Sequence, residues 1–394
     1  MSGSTTGARA VPVPRARGVN WGRVGQTLLV YSLAFLSALI VSALFIVLSE
    51  MKVYEAFREG IGRGLVQVGA TVGNAYWALL RGGFGSAYNL SESLTASVPY
   101  IFAGLAVALG FRCGLFNIGV EGQLFMGAIA SAYLGYAVKG LPAYLHVPLA
   151  LLGGAVAGAL WAALPGLLKA WRGAHEVITT IMMNYIAFRL TDYLLTGPMK
   201  RPGYAPVSPI IEDSAKLYRL RPDLRFHIGF FIALGVALLV WWFLWKTTLG
   251  FEIRTVGANP DAARYAGISV TRNFVLAMGL SGALAGLSGA NEVLGVNYFM
   301  AQAFSSGYGF DSIALALLGK SHPAGVVLSS FLWGFLRSGA KGMESRADVP
   351  IDIIFVIQAL VIMFVAAPEL VRVIYRIRAV REAEEAIFTR GWGV

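Results

Sequence analysis

Long apolar runs separated by short polar bridges set the rhythm of this chain. From about residue 27 to residue 374, segments of roughly 18 or more residues recur with almost no charge. That is the length a helix needs to cross about 30 Å of hydrocarbon. They divide into about ten spans: 27–48, 93–111, 115–137, 146–168, 176–196, 227–246, 272–292, 308–319, 323–341 and 350–374. Segment 308–319 is too short to span alone and reads as a half-helix, or as one arm of a re-entrant pair with 323–341. The stretch 60–81 mixes apolar and polar positions and holds five glycines. It reads as an interfacial helix or as an eleventh span, and the pattern leaves both open. The expectation is an all-α polytopic membrane protein with broken or half-helices.

Composition agrees. Of 394 residues 57% are hydrophobic and 13% charged, against about 25% charged in a typical soluble domain. The net charge of +11 is spread among the ends of apolar segments, which fits contact with anionic lipid and membrane topology better than nucleic acid. Lys and Arg in the short loops favour both termini inside. This divides the chain into a basic, disordered cytoplasmic tail (1–26), a membrane domain (27–376) and a cytoplasmic C-terminal tail (377–394). The membrane domain has outer loops at 49–92 and 197–226 and a cytoplasmic loop at 247–271. A short solvated helix is expected over 372–390, around REAEEA. The first apolar run is too long for a signal-peptide core and lacks a following small-x-small site, so it reads as an uncleaved span. Cys113 is the only cysteine and the four histidines are scattered, which disfavours disulfides and a Cys- or His-based metal site.

Three groups of polar residues break the apolar pattern. GLFNIGVEGQLFMG (114–127) carries Asn117, Glu121 and Gln123. Asn117 and Glu121, four apart, would share a helix face, and FRCG (111–114) suggests a break just before, with Glu121 in the first turn of a new helix. The stretch reads as a membrane-embedded junction or as a substrate contact. GAHEVITTIMMNYIAFRLTDY (173–193) adds Glu176 and Asn184, and Asn291, Glu292 and Asp311 follow. Together they argue for a hydrated internal pathway. Gly279, Ala283 and Leu287 mark one face of the seventh span, and Gly282, Gly286 and Ala290 mark another that is uniformly small, as close helix packing requires.

The loop TTLGFEIRTVGANPDAARYAGISV (247–270) carries a compact helix signal. Asn259 is an N-cap, Pro260 suits the first helical position, Asp261 complements the positive helix end, and Gly267 can stop the helix in left-handed geometry. The helix over 260–266 is too short to persist without a docking surface. Gly319-Lys320-Ser321 imitates a phosphate loop, but the required glycine falls at Ala314 and no strand precedes it.

GLFNIGVEGQLFMGAIA, HEVITTIMMNYIAF, LGFEIRTVGANPDAARYAGI and GYGFDSIALALLGKSHPAG occur in this order across roughly residues 90–376. They resemble the permease subunits of bacterial nucleoside-type ABC importers, within the branched-chain amino acid and simple-sugar permease group. FRCG departs from the family's usual small residue at Cys113. The resemblance implies a transport subunit without catalytic residues or cofactor of its own. It also implies a second, paralogous permease, a cytoplasmic ABC ATPase dimer that holds ATP and Mg2+, and an extracytoplasmic substrate-binding lipoprotein. The loop of Gly257, Asn259, Pro260, Asp261, Ala262, Arg264 and Gly267 would be the coupling helix on the ATPase. The expected cargo is a nucleoside, with ribose- or galactose-like sugars as the neighbouring alternative. An ion-coupled secondary transporter would instead use Glu121, Glu176 or Asp311 beside discontinuous helices. A membrane enzyme would need a nucleophile or metal constellation that the sequence does not display.

Overall fold

The computed structural model describes residues 21–377; the tails at 1–20 and 378–394, including most of the helix expected over 372–390, lie outside the described residues. Within them the chain is helical throughout. The elements are α1 (Trp21–Ser49), α2 (Met51–Glu59), α3 (Ile61–Phe84), α4 (Ala87–Arg112), α5 (Val120–Ala137), α6 (Ala143–Arg172), α7 (Glu176–Thr196), α8 (Gly229–Lys246), α9 (Thr248–Ala258), α10 (Pro260–Tyr265), α11 (Val270–Glu292), α12 (Tyr308–Leu318), α13 (Pro323–Ala347), α14 (Ile351–Ala366) and α15 (Pro368–Ile374). Two isolated bridges, Val207 to Ala301 and Arg219 to His227, are the extended pairings among the described residues.

Five helices are both long and apolar enough to cross a membrane: α1, α4, α6, α8 and α11. α3, α5, α7 and α13 have 24, 18, 21 and 25 residues, so at about 1.5 Å per residue they match bilayer thickness, but they are less apolar or more charged. What lets such helices sit inside the bundle is packing by small residues. α6 and α11 pack along Gly154 and Gly158 against Gly282 and Gly286, where an added Cβ would strike the facing backbone. The Gly282–Gly286–Ala290 face is therefore the packed one. Gly279, on the other face, has open space beside it. α4 is the hub: it is buried along most of its length between α11 and α13.

The helix expected over 60–81, inside the segment 49–92 assigned to an outer loop, forms as α3, preceded by α2; α3 joins the bundle because Gly82 meets Gly339 and Gly342 of α13 backbone to backbone. Two expectations change. The span expected over 350–374 is broken into α14 and α15, bent by 82°. Pro368 has no N–H and forces Ala367 out of helical geometry, at φ −114° and ψ 68°. The loop 247–271 carries a second helix, α9, capped by Thr247, whose side chain accepts from the Gly250 N–H. α12, with 11 residues, is too short to span. It turns into α13 through Lys320 and Ser321, both in left-handed conformation at φ 52° and 49°.

Candidate functional site

Buried polar groups gather in two clusters, and an exposed capped helix, α10, marks one end of the bundle. The first cluster forms where α4 stops. Cys113 closes that helix, Gly114 takes φ +73°, and residues 114–119 run as turns until α5 begins at Val120. Asn117 is therefore outside the helix, and the face it was expected to share with Glu121 does not exist. Its Nδ2 donates to Gln123 Oε1 and to Ser281 Oγ, each at 2.9 Å, and its Oδ1 accepts from the Gly119 N–H and Gln123 Nε2, each at 3.0 Å. Ser281 donates onward to the Ala106 carbonyl at 2.7 Å. Asn184 of α7 accepts from the Gly122 N–H at 2.8 Å and donates to the Ile118 carbonyl at 2.9 Å. These side chains are at most 1% exposed. The network replaces the backbone bonds lost at the helix break, as a non-helical segment inside a membrane bundle must.

Glu121 does lie in the first turn of α5, but it points elsewhere. Its carboxylate accepts the Gly309 N–H at 2.5 Å, at the N-terminus of α12, where the free amides and helix dipole favour an anion. It ties the half-helix α12 to α5. Glu176 stands apart from both clusters, paired with Lys169 at 2.9 Å across the α6–α7 corner.

The second cluster lies at the other end of α4. Asp311 in the first turn of α12 accepts from Tyr100 Oη at 3.2 Å and Trp333 Nε1 at 3.3 Å, with Arg337 of α13 at 3.8 Å. Arg337 also donates to Tyr100 Oη and Ser306 Oγ. Glu92 of α4 pairs with Arg225 at 3.1 Å. Beside these pairs is a cavity of about 150 Å3 whose walls include Glu92, Arg225, Glu292, Tyr308, Arg337 and Lys341. Glu292 is 5% exposed yet has no hydrogen bond or ion pair among the described residues. Neighbouring Asn291 Nδ2 and Glu92 Oε1 are also buried without a partner. α11 ends here in a π-turn, Val293–Asn297, followed by left-handed Tyr298, which opens the helix end toward the cavity. Pro99 cannot donate to the Thr95 carbonyl on the cavity wall, so α4 lacks one backbone bond there. His227, in the segment before α8, is pushed down to about 4 by burial and by Arg219 and Arg225, which keeps it neutral near pH 7.

The end that carries α9 and α10 is opposite the cavity. Asn259 Oδ1 accepts from the Asp261 and Ala262 N–H groups, both at 3.0 Å, Pro260 opens α10, Arg264 pairs with Asp261 at 3.1 Å, and Gly267 takes φ +81°. Gly257, at the end of α9, lies against the backbone of Arg112 and Gly114. The turn into α10 thus touches the α4–α5 junction directly. Arg112 donates to the Ser321 and Lys320 carbonyls at 2.9 and 3.0 Å, which ties the α12–α13 turn to the same end. Burial and then the Arg112 charge lower the His322 pKa.

Of the residues singled out from sequence, the structure joins Asn117, Gln123 and Asn184 in one network and brings Glu292 and Asp311 to the other cluster, while the Asn291 side chain lies against Gly229. Arg337, Lys341, Glu92, Arg225, Tyr100 and Trp333 were missed. The signal for Arg337 and Lys341 is their position inside or at the edge of the span 323–341, where a cation in an apolar run is as costly as an acid.

A bundle of spanning and half-length helices, with buried polar clusters and an exposed capped helix at one end, defines a membrane permease. The chain belongs to the family described as branched-chain amino acid transport system / permease component, whose model matches residues 89–366. It is 44% identical to the guanosine ABC transporter permease protein NupP of Bacillus subtilis over 77% of this chain and 88% of that one. It is 37% identical to the glucose ABC transporter permease protein TsgB13 of Haloferax volcanii, over 78% and 84%. It is 35% identical to the nucleoside ABC transporter permease protein NupB of Lactococcus lactis subsp. cremoris, over 80% and 89%. No solved structure matches the chain. The protein is a multi-pass membrane transport subunit of the ABC importer type.

Proposed function

We propose that this chain forms the translocation pathway of a nucleoside importer together with a second, paralogous permease. ATP and Mg2+ are bound by a separate cytoplasmic ABC ATPase dimer, and an extracytoplasmic lipoprotein delivers the substrate. The observation that carries the substrate reading is the 44% identity to a guanosine permease across most of both chains. The paired-permease reading draws on the second permeases of the same two bacteria, NupQ and NupC, which this chain also resembles. Both termini and α9–α10 then face the cytoplasm, in the bacterial inner or plasma membrane. α10 docks on the ATPase, and its motion reaches the α4–α5 junction through Gly257. The glucose permease relative favours a second reading, import of a simple sugar.

Uptake of radiolabelled nucleosides by cells with and without this gene tests the proposal, with excess unlabelled nucleosides, ribose, galactose and glucose as competitors. The expected result is uptake lost on deletion and blocked by nucleosides alone. Blockage by sugars alone would replace the nucleoside with a sugar and leave the ATPase-driven mechanism in place.

A further inference from the structure

We propose that the cavity walled by α4, the end of α11, α12 and α13 receives the sugar ring of the transported nucleoside and hydrogen-bonds its hydroxyls. The inference rests on the nucleoside reading and adds the part of the substrate that this site holds. Its pairs already satisfy most of the charge: Glu92 with Arg225, and Asp311 with Arg337. What they leave on the cavity wall is one buried carboxylate, Glu292, and one ammonium on an exposed residue, Lys341. Neither has a hydrogen bond or ion pair among the described residues.

A buried carboxylate without a donor is costly unless something that enters the cavity supplies one. A ring carrying several hydroxyls answers both vacancies, since each hydroxyl donates to a carboxylate and accepts from an ammonium. The Thr95 carbonyl, released by Pro99, adds an acceptor on the same wall. With Arg225 and Arg337 already paired, a phosphate dianion would bring like charge against Glu292 and Glu92, which a neutral molecule does not. A cavity of about 150 Å3 matches those that hold a single six-membered ring; it takes a sugar and not a whole nucleoside. Phe304 and Tyr308 on the wall offer ring faces to the remainder. The other buried cluster cannot play this part, because every polar atom of Asn117 and Gln123 that faces inward already has a protein partner.

The test uses the whole importer, this chain with its partner permease, ATPase and binding protein, in proteoliposomes. Guanosine, adenosine, cytidine and uridine are first assayed for uptake, and absence of all four overturns both this inference and the nucleoside reading. With a transported nucleoside in hand, Ala96→Cys on the cavity wall is labelled with a small water-soluble thiol reagent; Cys113 is buried and leaves a low background. The nucleoside and free ribose should slow labelling at least fivefold, and the free base and the nucleoside 5′-monophosphate should leave it unchanged. Asn297→Cys repeats the measurement at a second position. In parallel, Glu292→Gln and Lys341→Gln should each lower maximal uptake per assembled complex about tenfold at saturating loaded binding protein, with co-purification of the partners intact. Unprotected cysteines, protection by the base and not by ribose, or full uptake in assembled variants would overturn the sugar site while the importer reading stands.

Discussion

Two buried polar clusters lie along α4, and they differ in what they leave over. At the α4–α5 junction, Asn117, Gln123, Asn184 and Ser281 close on one another and on freed backbone groups. In the other cluster, Glu292 and Glu92 Oε1 remain without partners beside a cavity. In low dielectric an unmade hydrogen bond costs about 1–3 kcal/mol. A chain keeps such a group unmade where something else completes it. The junction is built from amides and a hydroxyl that satisfy one another, and the other cluster from acids, cations and aromatic rings that leave acceptors over; satisfaction therefore marks scaffold apart from contact surface.

Substitutions can break this comparison. The largest effect is expected for Asn117→Ala, which strands Gln123, Ser281 and the Gly119 N–H together. At about 1–3 kcal/mol for each stranded group, the recovered complex of this chain with its partners should fall tenfold or more on affinity purification. Normal recovery would show that the junction is not scaffold. Next comes Glu292→Gln, which exchanges a carboxylate for an amide of the same size. Complex recovery should stay within twofold of wild type while uptake per complex falls about tenfold.

A smaller effect is expected at the coupling end. Asn259→Ala removes the cap of α10, worth about 1 kcal/mol; ATP hydrolysis should persist while nucleoside moved per ATP drops several-fold, and an unchanged ratio would move the ATPase contact elsewhere. Smallest is Gly279→Ala, where an added Cβ meets nothing within 4 Å. Neither thermal stability nor uptake should shift measurably. A marked loss there would place a partner chain against that face of α11.

What the sequence disclosed follows the range of each signal. The cap of α10 was legible to the residue because Asn259, Pro260, Asp261 and Gly267 act within one turn of themselves. Most helices were legible from apolar runs, and 60–81 was legible as a helix, but the place of α3 in the bundle was not, because it joins through glycines at α13 that only the fold brings near. The 350–374 run hid the bend at Pro368, since hydropathy continues across it. The break before α5 was visible in FRCG, yet pairing Asn117 with Glu121 assumed a continuous helix. Once the turn is formed, Asn117 reaches Gln123 and Glu121 swings to Gly309. The cavity was the least legible feature. It assembles residues 92, 225, 292, 308, 337 and 341 from separate elements, and of these only Glu292 stood out along the chain.

The most direct test of the difference between the clusters is a paired measurement of complex recovery and nucleoside uptake per recovered complex for Asn117→Ala and Glu292→Gln. The account predicts that Asn117→Ala loses recovery, with the surviving complexes transporting at near wild-type rate, and that Glu292→Gln keeps recovery and loses uptake. The opposite pattern would contradict it, by making the satisfied network the substrate contact and the open cavity part of the frame.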